Sequence, residues 1–272
     1  MYRTDFISFP TCPDFMSSES GPLIPRKSGD DSTEVRQPPL PPNYRITILY
    51  EDDEILVVNK PYDIRIDGDF PITVEKLVRN GLSVPMDKFR LCNQLDYSTS
   101  GILVLGKTKS GARNCNKLFS SRMTSKYYLA IGNGKLQPNH EFGKAIKVTE
   151  KIAEIENDFR MTIDPQKGLE SETLVYPIKT VGDNTLFLVQ ILTGRRHQIR
   201  LHLRHAGYPI LGDATYGVRD DTTNRMMLHA WKLRLPFPNR SVIVTAPLGE
   251  DDGFPLTLTD EETTLLDSLS QN

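Results

Sequence analysis

The stretch LVYPIKTVGDNTLFLVQIL, residues 174–192, contains two apolar segments separated by a turn sequence. The segments 174–181 and 185–192 have the length and composition of strands. Gly182, Asp183 and Asn184 lie between them, and residues of these types favour the short turns that join antiparallel strands. The stretch therefore predicts a β-hairpin, and with it a sheet that contains antiparallel pairs.

The chain on both sides of this hairpin combines further strand patterns with a few helical ones. Strands are expected near 46–50, where Ile46, Ile48 and Tyr50 alternate with other residues, and at 54–60, 101–108, 126–134, 225–235 and 241–248. Helices are expected at 73–82, 110–122 and 195–206, the last ending at Gly207. Because consecutive strands lack helical crossovers, the pattern predicts an α+β fold with a mixed, largely antiparallel sheet flanked by helices.

The composition is that of a globular protein with 272 residues, of which 38% are hydrophobic and 25% charged. No run approaches the roughly 18 apolar residues of a membrane helix, and the first residues do not resemble a signal peptide. We therefore expect a soluble, intracellular monomer, in the cytoplasm or nucleus rather than the mitochondrion. Cys12, Cys92 and Cys115 are too far apart to indicate a disulfide framework or a zinc site.

The charge is distributed unevenly along the chain. Residues 1–43 carry four basic and six acidic side chains, and residues 249–272 carry no basic and seven acidic ones, whereas the segment between them has 29 basic and 22 acidic. We interpret 1–43 as a disordered tail, 44–248 as the catalytic domain and 249–272 as an acidic tail or short helix that Thr259 caps through Glu262. A basic domain favours a polyanionic partner.

The predicted helix at 195–206 contains four arginines, three histidines and no acid. Arg196, Arg200 and Arg204 recur every four residues, which predicts a basic stripe along one face, while Ile199, Leu201, Leu203 and Ala206 would pack on the sheet. Thr193 and Gly194 precede the helix, where free N–H groups favour phosphate. The alternative is a solvated surface helix. The histidines lack the spacing of a metal site.

The segment NQLDYSTSG, residues 93–101, places Asp96 in a polar turn directly before a predicted buried strand. A loop carboxylate anchored by a rigid strand is a suitable catalytic group. The same residue can instead cap its own turn through Ser98 or Thr99. Taken alone, the segment favours the capping role.

Four blocks in order change this interpretation, because together they resemble the RluA-type family of RNA pseudouridine synthases. The blocks are ILVVNKP (55–61), NQLDYSTSG (93–101), KYYLA (126–130) and TGRRHQIRLHLRHAGYPILGDATYG (193–217). The resemblance spans about residues 45 to 245. It implies a pseudouridine synthase fold, RNA as partner, and an isomerase that needs neither a cofactor nor a metal.

The resemblance also implies roles for individual residues. It makes Asp96 the catalytic carboxylate, Tyr128 the active-site tyrosine that stacks on the uracil, and Arg200 the partner that orients the carboxylate. Asp96 would either form a covalent adduct or remove a ribose proton to give a glycal, and both routes need an ionised carboxylate. The expected RNA-binding residues are Lys60, Arg65, Asn93, Gln94, Arg195, Arg196, His197, Gln198 and Arg204.

The chain departs from the family pattern near Asp96. Asn93 and Gln94 replace the usual His-Arg pair, and residues 61–67 replace a typical Gly…His-Pro block. Leu91, Gln94 and the segment DIRID (63–67) most resemble the eukaryotic RNA pseudouridylate synthase domain-containing proteins. We expect Arg65 to supply some of the missing positive charge. Two alternatives stay open: a catalytically silent RNA-binding relative, and an unrelated glycoside hydrolase, which needs a second carboxylate facing Asp96. Transfer, ribosomal and messenger RNA are all compatible substrates.

Overall fold

A mixed sheet forms the centre of the computed structural model, which describes residues 46–81, 88–217, 223–248 and 252–271. The predicted tail 1–43 lies outside the described residues. Nine strands within the described residues form this sheet: β1 (Thr47–Glu51), β2 (Ile55–Lys60), β3 (Ser100–Gly106), β4 (Ser125–Gly132), β5 (Ile146–Val148), β8 (Thr173–Val181), β9 (Asn184–Ile191), β10 (Leu228–Phe237) and β11 (Arg240–Thr245). A separate hairpin consists of β6 (Ile152–Glu154) and β7 (Met161–Ile163).

The strand order explains why the sheet is mixed. It runs β1-β2-β3-β10-β4-β9-β8-β5, and β11 also pairs with β10. Among the described strands, β3 and β10 form the one parallel pair, and every other pairing is antiparallel. The α+β class and the largely antiparallel sheet are therefore confirmed.

The predicted hairpin is present as β8 and β9. The two strands pair from Thr173 opposite Ile191 to Val181 opposite Asn184, so that the turn consists of Gly182 and Asp183. Gly182 has a φ of 59°, the positive value that a primed hairpin turn requires of its first residue. Most of the apolar residues of both strands lie in the largest core cluster.

Four helices pack around the sheet in the described residues: α1 (Val74–Gly81), α2 (Lys109–Ser120), α3 (Gln198–His205) and α4 (Asp260–Leu269). Thr108 caps α2 through the N–H of Gly111, so this helix begins one residue earlier than predicted. Thr259 caps α4 through Glu262, as predicted. Leu266 of α4 is buried in the core cluster of β4, β8 and β9, so this acidic segment packs against the sheet.

The helix predicted at 195–206 is shorter than expected and begins at Gln198. His197 precedes it in the left-handed conformation, with a φ of 58°, so residues 195–197 form a loop. Arg196 is therefore not on the helix, and the expected stripe of three arginines does not exist. None of the described helices is long and apolar enough to cross a membrane.

Gly101 permits the close approach of β3 and β10. It pairs with Ala230 and has a φ of 109°. A Cβ atom at this position would lie 2.2 Å from the carbonyl oxygen of Ala230. Because Asp96 lies in the loop directly before β3, this contact also fixes where that loop ends.

Replacing Gly101 by alanine should destabilise the fold by about 3 kcal/mol, because strain at positive φ and a backbone clash add together. Gly134→Ala is the matched control, since Gly134 has a φ of 101° and a Cβ atom added there would meet nothing within 4 Å. Urea denaturation of both variants measures the difference. Equal losses of stability would show that the contact with Ala230 is not what requires glycine.

Candidate active site

A cleft of about 750 Å³ opens at the middle of the sheet, where β3 and β4 lie on either side of β10. Its walls are the loop before β3, the end of α2, the start of β4 and the loop that leads into α3. The residues that line it include Asn93, Gln94, Asp96, Asn116, Arg122, Lys126, Tyr128, Arg195, Arg196, His197, Arg200 and Leu228. The cleft therefore collects side chains from these four walls and, through Leu228, from the start of β10.

Asp96 points its carboxylate into this cleft rather than into its own turn. Its Oδ2 accepts a hydrogen bond of 3.0 Å from Nη1 of Arg200, and its side chain is 23% exposed. The turn is closed instead by the backbone, where the N–H of Thr99 donates to the carbonyl of Asp96 at 3.1 Å. The turn-capping role that the local sequence favours is therefore not the role of this carboxylate.

Arg200 is held by a second carboxylate, that of Asp213. Nε and Nη2 of Arg200 donate to the two carboxylate oxygens of Asp213, each at 2.7 Å, while the guanidinium lies 4.9 Å from the ring centre of Tyr216. Arg200 is 7% exposed and Asp213 is 1% exposed. Burial opposes both charges, yet the mutual hydrogen bonds raise the pKa of Arg200 and lower the pKa of Asp213.

His197 faces the other oxygen of Asp96. Its Nε2 lies 4.0 Å from Oδ1 of Asp96, and its Nδ1 lies 2.7 Å from the hydroxyl of Tyr216. That hydroxyl already accepts the N–H of Met161, so we assign its own hydrogen to Nδ1 of His197. Burial lowers the pKa of His197, which leaves a neutral imidazole with its hydrogen on Nε2, directed towards Asp96.

Tyr128 lies on β4 across the cleft from the loop of Asp96. Burial, and secondarily the charge of Asp96, raise the pKa of its phenol. The ring therefore stays neutral at physiological pH. Leu228 and Ile191 line the same cleft, so this side offers an aromatic face with apolar neighbours.

The charges in the cleft are strongly biased. Among the described residues that line it, Asp96 is the one acid, whereas five cationic side chains line it. These are Arg122, Lys126, Arg195, Arg196 and Arg200. Asp213 does not line the cleft, because it lies behind Arg200. The arrangement suits a polyanionic ligand, and no carboxylate from the described part of the chain faces Asp96 in the cleft.

Lys60 is not on the predicted RNA-binding surface. Its side chain is 0% exposed, and its ammonium donates to the carbonyl oxygens of Pro61 and Tyr97, each at 2.9 Å, and of Thr99 at 2.8 Å. Burial lowers the pKa of Lys60 to about 7. Two of its three hydrogen bonds, those to Tyr97 and Thr99, therefore fix the loop that carries Asp96 to the end of β2.

Gln198 lines the cleft but is only 3% exposed, so its predicted contact with RNA stays a prediction. Its Oε1 accepts from the hydroxyl of Thr193 at 2.8 Å and from the N–H of Arg195 at 2.9 Å. Its Nε2 donates to the carbonyl of Glu172 and the hydroxyl of Thr173. Gln198 thus fixes the loop before α3. It also accepts the backbone N–H of Arg195, which lies in the region where phosphate was expected to bind.

The predicted arginines lie on different surfaces. Arg195 donates from Nε to the carbonyl of Glu170 at 3.0 Å, and Nε of Arg196 lies 3.2 Å from the sulfur of Met161. Both line the cleft. Arg204 is exposed on α3 and does not line the cleft. The cleft wall therefore takes its cations from the loop more than from the helix.

Asn93 and Gln94 have different surroundings although they are adjacent. The amide of Asn93 accepts the N–H of Val104 at 2.7 Å and donates to the carbonyl of Ile102 at 3.3 Å, so it fastens the loop to β3. Gln94 is exposed and lines both the main cleft and a smaller cavity of about 220 Å³. Arg65 lines that smaller cavity, with its guanidinium 4.1 Å from the ring centre of Phe70.

Sequence reasoning missed Asp213 and Tyr216. Both stand in the block that carries the resemblance, in LGDATYG, and the available signal is an acid in an otherwise uncharged turn. The backbone N–H groups of Thr215 and Tyr216 donate to Oδ1 of Asp213, which explains why the turn folds around the carboxylate. Their function depends on contacts with α3, which the turn sequence does not specify.

Comparison with known proteins places residues 54–205 within the RNA pseudouridylate synthase family. RNA pseudouridylate synthase domain-containing protein 1 of Danio rerio is 36% identical over 217 residues, 74% of each chain. Ribosomal large subunit pseudouridine synthase C of Buchnera aphidicola subsp. Acyrthosiphon pisum is 31% identical, over 75% of this chain and 68% of that protein. The solved human RNA Pseudouridylate Synthase Domain Containing 1 matches with a TM-score of 0.69 and 32% identity, over 84% of this chain and 95% of that chain.

Asp213→Asn should lower the free energy of unfolding by about 3 kcal/mol at pH 7, because it leaves the buried guanidinium of Arg200 short of one charge. The pKa of Asp213 is lower in the folded protein than in the unfolded chain, so the ionised carboxylate stabilises the fold above about pH 4. This stabilisation is lost as the pH falls through the pKa of Asp213 in the folded protein. The difference between wild type and variant should therefore shrink below about pH 4. Urea titrations from pH 7 to pH 3 test this, and a constant difference would contradict the ion pair as its source.

Proposed function

This chain belongs to the RNA pseudouridylate synthase family and is an isomerase of uridine in RNA, and we propose that Asp96 is its catalytic carboxylate. The observation that carries the proposal is the position of Asp96, the one acid among the described residues of a cationic cleft, bonded to a buried arginine and opposite a tyrosine. The reaction breaks the bond between C1′ of ribose and N1 of uracil, turns the base and joins C1′ to C5. The proton on C5 leaves and N1 gains one, so no net oxidation occurs.

Asp96 would act on the nucleotide in its ionised form. In one route an oxygen of Asp96 attacks the ribose or the base and forms a covalent adduct, and in the other it removes a ribose proton to give a glycal. Arg200 binds Oδ2 while Oδ1 stays directed into the cleft near His197. One oxygen is thus free for either route while the other fixes the orientation of the carboxylate.

Asp213 would act through Arg200 as a positioning residue. Its two hydrogen bonds fix the plane of the guanidinium, so that the remaining Nη1 is directed at Asp96. A planar fork with one edge occupied has little freedom to rotate. The geometry of the reactive carboxylate therefore depends on a residue that does not line the cleft.

Tyr128 would hold the uracil after the glycosidic bond breaks. Its neutral ring offers a flat face for stacking, and Leu228 and Ile191 exclude water beside it. A detached base that remains stacked can turn without leaving the site. This part of the cleft thus supports the rotation that the isomerisation needs.

The cleft's cations would bind the RNA backbone and offset the cost of extracting the base from its stack, a few kcal/mol. Arg195 and Arg196 line the cleft and are the first candidates, and Arg204 would contact RNA outside it. Arg65 and Gln94 would contact the RNA at the smaller cavity beside the cleft. Asn93 supports the loop.

The two alternatives have less support. Asp96, Tyr128 and Arg200 line one cleft, so Asn93 and Gln94 have not displaced the proposed catalytic groups, and a silent relative is not favoured. A glycoside hydrolase needs a second carboxylate across the substrate, whereas Asp213 is occupied by Arg200 behind the wall. The family match also argues against it.

Asp96→Asn should abolish pseudouridine formation, with a loss of at least about a thousandfold, because the amide can neither attack nor accept a proton. Pseudouridine in cellular RNA is mapped by chemical labelling and primer extension after incubation with each protein. Asp183→Asn is the control, since Asp183 is 92% exposed in the hairpin turn. Unchanged marks with the Asp96 variant would overturn the mechanism, and wild-type activity should persist in EDTA.

Arg65→Ala should weaken RNA binding by about three- to tenfold, because it removes a cation held by aromatic rings at the smaller cavity. The dissociation constant for cellular RNA and the rate of modification are measured with wild type and variant. Lys135→Ala is the control, since Lys135 is an exposed cation in neither cavity. If affinity and turnover both stay unchanged, Arg65 does not supply the charge that Gln94 lacks.

A further inference from the structure

Lys126 lies at the cleft without a role in the chemistry described above. It is two residues before Tyr128 on β4, so the two side chains project from the same face of the strand, and both line the cleft. Its Nζ lies 3.9 Å from the position that a Cβ atom on Gly194 would occupy. The ammonium therefore reaches across the cleft from β4 to the loop before α3.

No residue that the structure describes accepts a hydrogen bond from this ammonium or forms an ion pair with it. Burial, and secondarily the charge of Arg122, lower the pKa of Lys126 to about 8. Arg195 and Arg196 also line the cleft, and its acid, Asp96, is bonded to Arg200. The folded protein thus keeps a partly buried cation among other cations, an arrangement that a bound anion would stabilise.

We infer that Lys126, with Arg122 and the open space beside Gly194, forms a subsite for a backbone phosphate of the bound RNA. The inference rests on the proposed function, because RNA in the cleft supplies the phosphate. Gly194 has no side chain to fill the space in front of the ammonium, and two cations side by side suit a full negative charge better than a carbonyl oxygen of uracil.

The phosphate is that of the target nucleotide or its immediate neighbour. Two residues along a strand separate Lys126 from Tyr128 by about 7 Å. A nucleotide whose base stacks on Tyr128 can therefore present a phosphate to Lys126. The subsite would fix the ribose from the side opposite Asp96.

Binding of the phosphate is coupled to protonation of Lys126. An adjacent anion stabilises the ammonium and raises its pKa above the value of about 8 in the free protein. Affinity is then fully present below that pH and falls as the pH rises above it. A glutamine at this position has no such dependence.

The direct test compares Lys126→Gln with the control Lys107→Gln. Lys107 does not line the cleft, and its Nζ forms an ion pair of 2.6 Å with Glu51. The probe is a labelled single-stranded oligouridylate, and its dissociation constant is measured against salt and against pH from 7 to 9.5. The Lys126 variant should bind about 5- to 20-fold more weakly at pH 7, with a salt slope smaller by about 0.7 and a flatter pH dependence. Wild-type affinity and slope in this variant would overturn the proposal.

A second measurement does not depend on RNA. NMR titration of the lysine side-chain Cε signals should show the pKa of Lys126 rising when inorganic phosphate is added. The rise should be smaller in Gly194→Ala, because the added methyl group would lie 3.9 Å from Nζ of Lys126 and would meet no atom besides this one within 4 Å. A pKa of Lys126 that stays unchanged at high concentrations of inorganic phosphate would overturn the proposal.

Kinetics separate this subsite from the proposed chemistry. The release of tritium from C5 of labelled cellular RNA should show a raised KM for Lys126→Gln with little change in kcat. A lowered kcat at unchanged KM would overturn the phosphate assignment and place Lys126 at the reacting base. Asp96→Asn should keep the affinity for oligouridylate and the pH dependence of that affinity. The binding test of the phosphate subsite therefore stays valid even if Asp96 is not the catalytic residue.

Discussion

The site depends on one buried guanidinium shared by two carboxylates. Arg200 holds Asp213 with two hydrogen bonds and Asp96 with one, and these residues come from α3, the turn after it and the loop before β3. A buried cation with a missing partner costs several kcal/mol, so the three segments must assemble together. The arrangement of these three side chains and the packing of the sheet around β10 therefore form together when the chain folds.

The loop of Asp96 is fixed from both of its sides. Arg200 binds the carboxylate, and Lys60 at the end of β2 donates three hydrogen bonds around the loop, two of them to Tyr97 and Thr99. The loop then enters β3, where Gly101 allows contact with Ala230 of β10. A carboxylate on a turn is usually mobile, and here buried polar contacts give it the rigidity that its proposed catalytic role would need.

Local patterns predicted the elements well and the directions of the side chains less well. The hairpin of β8 and β9, the buried strand β2 and the cap of Thr259 follow from short-range propensities, and the structure contains them. The strands β5, β6 and β7 are only three residues long, which is too short for a periodic signal.

The errors concern charged residues whose partners are distant in sequence. A four-residue spacing predicts Arg200 on a basic stripe, but Arg200 is buried in an ion pair with Asp213. The helix begins only at Gln198, because His197 has a left-handed conformation. Lys60 is wrongly predicted as an RNA contact because its strand gives no sign of the three carbonyls that receive it. The proposed role of Asp96 comes from the ordered set of motifs and not from its own turn.

The sharing of Arg200 also bears on the reactivity of Asp96. One cation serves two carboxylates, so the buried group carries a net negative charge, and Asp213 takes the stronger pair of hydrogen bonds. Asp96 is therefore oriented by Arg200 without being fully neutralised by it. Gln94 has the same consequence, because its uncharged amide adds no second cation to the loop of Asp96. Arg65 lies in the neighbouring cavity, where its guanidinium contacts Phe70. The chain thus carries positive charge on the walls of the cleft and leaves one oxygen of Asp96 without a hydrogen bond to Arg200, as the proposed role of this carboxylate requires.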